Sequence, residues 1–384
     1  MENLNNQIFK IMAVLMCSFS CLILAQSDTN TEKQVRLVFN QLVSVYGSAK
    51  PQPKLEFVKE KLPIQPARYS PSPIPKIEID VALYKICQTF DKDSLNALAV
   101  VLSHELTHYY NDHTFCSDYA FANFKSNPSL KSKIGQASYN ARIEKEAEAD
   151  IKGFFFSAAA GFQPHGLQGL LIEKIYSNYK LADIQKGYPS KQERIEIAKN
   201  AENTSAQLYE HFKNGLSALE NKQYDVAIEL FTKANSQVPF RENWNNIGVA
   251  YARKALALKV SSKAEIENPA RFLYPLEVEN KSRLLNERTR SLDDTTEEII
   301  ELLNHAQSAF EKALQLDPSF YKSRINLACV YDLQGKHNSA IAEITEKLPE
   351  ETRASKEAKI ILAIAYYNAD MEEKAEMIWG ELKM

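Results

Sequence analysis

The chain has 384 residues, with 46 basic and 49 acidic side chains and a formal charge of −3, which excludes the strongly basic surface of a nucleic-acid-binding protein. Its 45% apolar and 25% charged residues exclude a disordered or fibrous chain, and its length predicts two domains. Glycine is scarce, with 11 residues, which favours long helices over many short strands.

An apolar run over residues 11–25 follows Lys10 near the N-terminus. It is shorter than the ~20 residues of a spanning helix, and its charged start and small last residue, Ala25, are typical of a secretory signal peptide. We expect residues 1–25 to be removed, leaving a mature chain without a membrane span. The alternatives are an uncleaved anchor and a lipoprotein attached through Cys21.

Three cysteines remain after this cleavage: Cys87, Cys116 and Cys329. In an oxidising compartment Cys87 and Cys116 could pair, because both belong to the first half of the chain. The alternative is three buried thiols.

The segment from residue 51 to residue 75 contains seven prolines. Proline excludes helix, so this segment is expected to be extended, as a surface wrap or linker. Residues 76–81 alternate apolar and charged side chains, which predicts an exposed or edge strand.

Helical patterns follow the strand. A helix capped by Asp93 or Ser94 begins at Leu95, and its apolar residues lie almost all round, so we expect it to be buried. A second helix is predicted over about 136–159, a third after Pro164 and another after Pro189.

The buried helix carries the sequence HELTH, in which His104 and His108 are four residues apart and share one face. Two histidines at this spacing can bind one Zn²⁺, with Glu105 beside them as general base for a metal-bound water. Buried histidines without such a role would be costly. The sequence therefore predicts one zinc ion per chain.

A catalytic zinc needs a third protein ligand. Asn111 and Thr114 stand where a metzincin has Gly and the final His, which excludes that class. The remaining candidates are acids on the second helix: Glu144, Glu146 and Glu148. The spacing favours Glu146, because Asp150 lies four residues later on the same face and could accept a hydrogen bond from a ligand histidine.

HELTH, followed by EAEAD at 146–150, resembles the HtpX-like and CAAX prenyl protease family of zinc metallopeptidases (peptidase family forty-eight). The resemblance covers about residues 35–203. It implies Glu146 as the third zinc ligand, and it implies a mainly α chain whose zincin domain, of the gluzincin type, has a small β element. Family members often have His-Pro before the ERI segment, whereas this chain has Tyr188-Pro189, so a metal-blocking role of that loop is in doubt.

Three further residues are candidates for the cleft. Tyr188 could donate a hydrogen bond to a developing oxyanion, or could equally be a packed core tyrosine. His113 and His165 could approach the cleft, although ordinary surface histidines are the simpler interpretation.

From about residue 208 the sequence repeats with a period near 34 residues, the length of a tetratricopeptide unit. Four such units would form an α-solenoid, the second split by an insertion at about 257–295. The predicted domains are a peptidase domain over 26–203 and a repeat domain over 206–384. The positions that carry the match in the first two units are Gly215, Ala227, Phe231, Ala234, Pro239, Gly248, Tyr251, Ala306, Phe310 and Ala313.

The combination is similar to the soluble periplasmic branch of the family, which implies a secreted zinc endopeptidase that hydrolyses unfolded or misassembled envelope proteins. The repeats would recruit protein substrates or an envelope or outer-membrane protein complex. The strand at 76–81 could pair with an extended substrate. A repeat-based adaptor or chaperone with a latent zinc domain is the alternative function, and a purely structural zinc site is a third.

Overall fold

The structure is a computed structural model that describes residues 31–59, 66–71, 73–113, 128–184, 189–258, 269–279 and 297–383, with the backbone alone for 128–142 and 269–270. The chain is mainly helical. It divides into unit 1, within residues 1–45 and 53–199, and unit 2, within residues 46–52 and 200–384. The predicted signal peptide over 1–25, Cys116 and Tyr188 lie outside the described residues.

Unit 1 contains a sheet of three short strands, β1 (Lys54–Val58), β2 (Ala67–Ser70) and β3 (Lys76–Asp80), in the order β1-β3-β2. β1 is parallel to β3, and β2 is antiparallel to it. β3 is therefore the central strand, and its last four residues are buried.

The prediction that residues 76–81 form an exposed or edge strand is wrong. Both partners of β3 come from the proline-rich segment, in which the prolines lie outside the short sequences KLEFV and ARYS. These two sequences keep their backbone N–H groups and can pair, so the described parts of the segment are extended, as predicted, but form strands of a sheet rather than a surface wrap or linker.

Helix α2 (Val81–Gln88) follows β3 directly and is capped by Asp80, whose carboxylate accepts the Leu83 N–H at 2.8 Å. Helix α1, described over 31–46, buries Val38 and Leu42 completely, and its Gln34 accepts a hydrogen bond from the Tyr84 hydroxyl of α2. Helix α3 (Ser94–Tyr110) is buried over much of its surface, as its sequence predicts.

Helix α4 (Pro128–Ala159) packs against α3. At Gly153 the two backbones approach so closely that an added Cβ would lie 2.9 Å from the His104 nitrogen and 3.0 Å from its Cα. The Ser157 hydroxyl donates a hydrogen bond to the Ala99 carbonyl across the same interface at 3.1 Å. Glycine is therefore required where α4 passes the HELTH turn.

Two helices follow Pro164 and Pro189, as predicted: α5 (Gln168–Tyr179) and α6 (Lys191–Glu220). The boundary between the units, Lys199 to Asn200, falls inside α6.

Unit 2 consists of consecutive helices packed in pairs. After α6 they are α7 (Tyr224–Ala234), α8 (Arg241–Leu258), α9 (Glu297–Leu316), α10 (Tyr321–Leu333), α11 (His337–Thr345), the single turn α12 (Glu350–Arg353), α13 (Lys356–Asn368) and α14 (Glu372–Leu382). An added Cβ would lie 2.6 Å from the Phe231 ring at Gly215 and 2.6 Å from the Phe310 ring at Gly248. A small residue thus meets an aromatic ring where paired helices approach.

The segment between α8 and α9 is described over residues 269–279, where a 3₁₀ turn, Pro269–Phe272, leads into chain without helix or strand. Cys87 and Cys329 are free thiols, both buried, and burial raises the pKa of Cys87 to about 12. Within the described part of the chain, no helix has the length and apolar character needed to cross a membrane.

Candidate metal centre

Helix α3 presents His104 and His108 on one face, one turn apart. Their Nε2 atoms point at each other and are 3.0 Å apart, with the rings at 73°. Both side chains are mostly buried. Two nitrogen lone pairs at this distance repel each other unless a proton or a metal ion lies between them.

Helix α4 brings Glu146 to the same point, with one carboxylate oxygen 3.5 Å from His104 Nε2 and the other 3.5 Å from His108 Nε2. One donor atom from each of the three residues lies within 4.8 Å of the others, which makes them a group that could hold a metal ion. Ligand atoms ~2.0–2.1 Å from a tetrahedral zinc are ~3.3–3.4 Å apart, so the observed spacings fit such an ion.

Of the other acids on α4, Glu144 is exposed and does not belong to the group. Glu148 lies on a different side of the helix, where it accepts hydrogen bonds from Asn111 at 3.0 Å and Lys152 at 2.6 Å. The structure therefore brings Glu146, and neither neighbour, to the two histidines.

Asp150 and Arg194 support the three candidate ligands from behind. His104 Nδ1 is 2.8 Å from Asp150 Oδ1, which directs the Nε2 lone pair of His104 towards Glu146. Arg194 donates to Glu146 at 2.6 Å and to Asp150 at 3.3 Å, and so connects both carboxylates. The sequence did not indicate Arg194 as a site residue, although it is the arginine of the ERI segment that follows Tyr188-Pro189.

The titration behaviour of these groups reflects one shared positive charge. Burial opposes protonation of His104, but its hydrogen bonds with Asp150 and Glu146 outweigh burial and raise its pKa. Burial and the charge of His104 lower the pKa of His108. Burial would raise the pKa of Glu146, but His104 and Arg194 hold it well below its usual range. The three side chains therefore share one positive charge between them, which is compatible with the group holding a cation.

Glu105 lies beside this group with a carboxylate whose pKa is raised by burial. Its Oε2 accepts the backbone N–H of Tyr69 in β2 at 2.8 Å, which fixes the carboxylate in place. Tyr69 was not predicted, because nothing in the local sequence indicates that β2 reaches the HELTH helix. Raised basicity is what a general base needs.

The group of His104, His108 and Glu146 opens into a cleft of about 410 Å³. Its polar wall contains His104, Glu105, His108, Glu146 and Arg194, and a second wall consists of Pro66 with residues 67–69 of β2. The remaining wall is largely apolar, from Leu171, Ile172, Ile175 and Tyr176 of α5 together with Leu181 and Pro189. A polar centre with an apolar wall is typical of a substrate cleft.

The two other candidate histidines, His113 and His165, lie in different surroundings. His113 is buried behind His108, with the two Nδ1 atoms 2.7 Å apart and its Nε2 3.2 Å from Glu148. It therefore contacts a candidate ligand on the side away from Glu146. His165 is exposed, packs edge-on against Phe154 at 5.2 Å and does not line the cleft.

No family model matches this chain, and neither does any curated protein. The resemblance to the zinc metallopeptidase family consequently depends on the motifs around His104 and Glu146.

Proposed function

We propose that unit 1 is a zinc-dependent endopeptidase. The observation that carries the proposal is the convergence of His104, His108 and Glu146 in a cleft, with the basic carboxylate of Glu105 next to them. Two imidazoles and one carboxylate are the protein ligands of many catalytic zinc sites and suit zinc better than calcium or magnesium. Bound zinc supplies Lewis acidity and an activated water.

In this mechanism Glu105 accepts the proton of the attacking water and returns it to the leaving amine. The hydrogen bond from Tyr69 holds one oxygen of Glu105, which leaves the other oxygen for this transfer. Arg194 keeps Glu146 ionised, and Asp150 keeps His104 Nε2 available as a ligand atom.

β2, rather than β3, is the proposed docking strand for substrate. β3 is paired on both sides, whereas β2 is an edge strand that lines the cleft. The Tyr69 N–H faces Glu105 and therefore points away from β3. An extended substrate running along this edge would bring a peptide bond to Glu105 with little selection for side chains.

For unit 2 we propose a solenoid of tetratricopeptide units that recruits substrate or a partner protein. Gly215 against Phe231 and Gly248 against Phe310 support it, because these pairs lie where the repeat needs a small and a large residue. With the family resemblance, the proposed role of the whole chain is cleavage of unfolded or misassembled envelope proteins in the periplasm.

Replacement of Glu105 by Gln tests the peptidase proposal. We expect E105Q to bind one zinc ion as the wild type does and to lose ~10²–10⁴-fold in hydrolysis of a fluorescently labelled unfolded protein. E144Q removes an exposed acid from α4 and should remain fully active. Full activity of E105Q would refute the role of Glu105, and a zinc-loaded wild type that cleaves nothing would favour the adaptor or chaperone.

A further inference from the structure

Residues 271–279 of the insertion lie across helices of unit 2, held through their backbone. Glu277 donates its N–H to Asn326 Oδ1 at 2.8 Å, and Asn326 Nδ2 donates back to the Glu277 carbonyl at 2.8 Å. Glu279 and Asn246 exchange the same two hydrogen bonds, each at 2.8 Å. Two asparagines on two helices thus bind alternate residues of one segment in the same way.

This pattern copies the pairing of a β-strand. Alternate residues of an extended chain direct both N–H and C=O to the same side. A carboxamide offers one acceptor and two donors, so each asparagine replaces the backbone of a neighbouring strand. Contacts of this kind bind any extended segment, whatever its sequence.

The asparagines are unusual residues for the positions that they occupy. Asn245, Asn246 and Asn326 are completely buried within helices α8 and α10. Asparagine is a poor helix former, and a buried amide is costly unless it is hydrogen-bonded. Asn245 also donates to the Glu277 carbonyl, at 3.0 Å, so all three amides bind the segment.

Side chains of the segment find complementary groups at both of its ends. Phe272 packs edge-on against Trp379, with ring centroids 5.5 Å apart. At the other end Lys322 is 3.7 Å from the Glu277 carboxylate and 3.3 Å from that of Glu279. The surface therefore selects an aromatic residue followed by two acids in alternate positions.

The segment has few features of a permanent core element. Among residues 271–279, Leu276 alone is buried, and the others are partly exposed. Its attachment combines amide hydrogen bonds and ion pairs at the rim, which are individually weak, with two apolar anchors, Phe272 against Trp379 and the buried Leu276. A competing segment with the same backbone contacts could replace it.

We propose that Asn245, Asn246, Asn326 and Lys322, together the asparagine surface, bind an extended segment of another protein that carries an aromatic residue and two alternating acids. Residues 271–279 occupy this surface as a tethered internal competitor. The inference deepens the recruiting role proposed for unit 2 and rests on it. It makes recruitment conditional, because the incoming segment has to displace the internal one.

Binding of a labelled peptide with the sequence of residues 269–279 tests this, by fluorescence anisotropy on the full chain. The variant F272S/L276S removes the apolar anchors of the internal segment and leaves the asparagine surface intact. We expect it to bind the peptide at least ~10-fold more tightly than the wild type, because the competent state is more populated. A second variant, E277K/E279K, places two lysines beside Lys322 and so weakens the attachment of the internal segment by charge repulsion. It should also bind the peptide more tightly than the wild type, and it replaces the first variant if that one does not fold.

A charge swap identifies the surface used. K322E, added to F272S/L276S, should weaken binding of the acidic peptide at least ~10-fold, and a peptide with lysine at both acidic positions should regain it. K213E makes the same charge change at an exposed position of α6 and should have no effect.

Equal peptide affinity of the wild type, F272S/L276S and E277K/E279K would overturn the proposal that residues 271–279 compete for the surface. If a folded F272S/L276S variant did not bind the peptide, or if K322E did not weaken that binding, the asparagine surface would not be the binding site. These failures are distinguishable from failure of the peptidase proposal, because zinc binding and the effect of E105Q are measured in unit 1.

Discussion

Gly153 allows α4 to pass close enough to α3 for Glu146 to reach the two histidines, and G153A should push the helices apart. The new Cβ would lie 2.9 Å from the His104 nitrogen, 3.0 Å from its Cα and 3.2 Å from the Ser103 carbonyl carbon. Ordinary contacts between carbon atoms are ~3.5–4.0 Å. All three neighbours are backbone atoms, so no side-chain rotation relieves the contact.

The cost of the G153A contact in stability can be worked out by comparison with a matched control, G169A. Gly169 in α5 has the Ile195 Cγ2 at 3.7 Å as its nearest neighbour, so an added Cβ makes an ordinary contact. Both substitutions gain the better helix propensity of alanine, ~1 kcal/mol at most, and this gain cancels between them. The difference in stability between G153A and G169A is then the overpacking cost, ~1–3 kcal/mol.

Tryptophan fluorescence cannot follow this change, because Trp244 and Trp379 both lie in unit 2. Hydrogen exchange of peptides from α3, read by mass spectrometry, measures opening of unit 1 directly. We expect hydrogen exchange in G153A to be ~5- to 150-fold faster than in G169A, because a stability difference of ~1–3 kcal/mol changes the opening equilibrium by that factor. Zinc affinity, measured by competition with a chelating dye, should fall in G153A alone.

Exchange and zinc affinity that are equal in G153A and G169A would refute the reasoning. That result would mean that α3 and α4 can separate at this point without cost, and that the metal-binding group does not depend on their close approach.

Three further predictions concern the second carboxylate of the site and the packing of unit 2. D150N should bind zinc ~10–100-fold more weakly in dye competition, because His104 loses the charge that orients it; unchanged affinity would contradict this. G248A should destabilise unit 2 by ~1–3 kcal/mol relative to G380A, measured by urea unfolding with tryptophan fluorescence, since its Cβ meets the Phe310 ring whereas Gly380 has nothing within 4 Å. Burial opposes ionisation of Asp317, but hydrogen bonds from Ser48 and Ser319 outweigh burial and lower the pKa of its carboxyl. The ionised carboxylate therefore stabilises the folded state above pH ~4, and this stabilisation is lost as pH falls through the folded pKa. D317N should therefore destabilise unit 2 more at neutral pH than at about pH 3, and a pH-independent difference would contradict this.

The parts of the site that were predictable are those fixed by helical periodicity. Spacing alone put His104 and His108 on one face, and the four-residue step from Glu146 to Asp150 selected one acid among three, as the structure also does. Arg194 was not predictable in this way, because its contacts with Glu146 and Asp150 join α6 to α4, and no local pattern encodes which face of a distant helix will meet the site.

The sheet shows the same limit. The alternation in residues 76–80 correctly indicated a strand, but alternation does not reveal what pairs with it. Glu78 reads as a solvent-facing residue, yet its side chain is buried because Arg68 of β2, at 2.5 Å, and Lys76 neutralise it and lower its pKa. A charged residue can thus belong to a central strand when the partner strand supplies its counter-ion.

The candidate metal centre and the asparagine surface share one physical feature. Each has a group of polar side chains buried on helices, at positions where apolar side chains would stabilise the fold more. In the centre, His104, His108 and Glu146 converge on a point that a cation satisfies. On the asparagine surface, Asn246 and Asn326 converge on a line that an extended backbone satisfies. A buried polar group is costly when it lacks a partner, and each set therefore supports the ligand proposed for it: a cation in unit 1 and an extended peptide in unit 2.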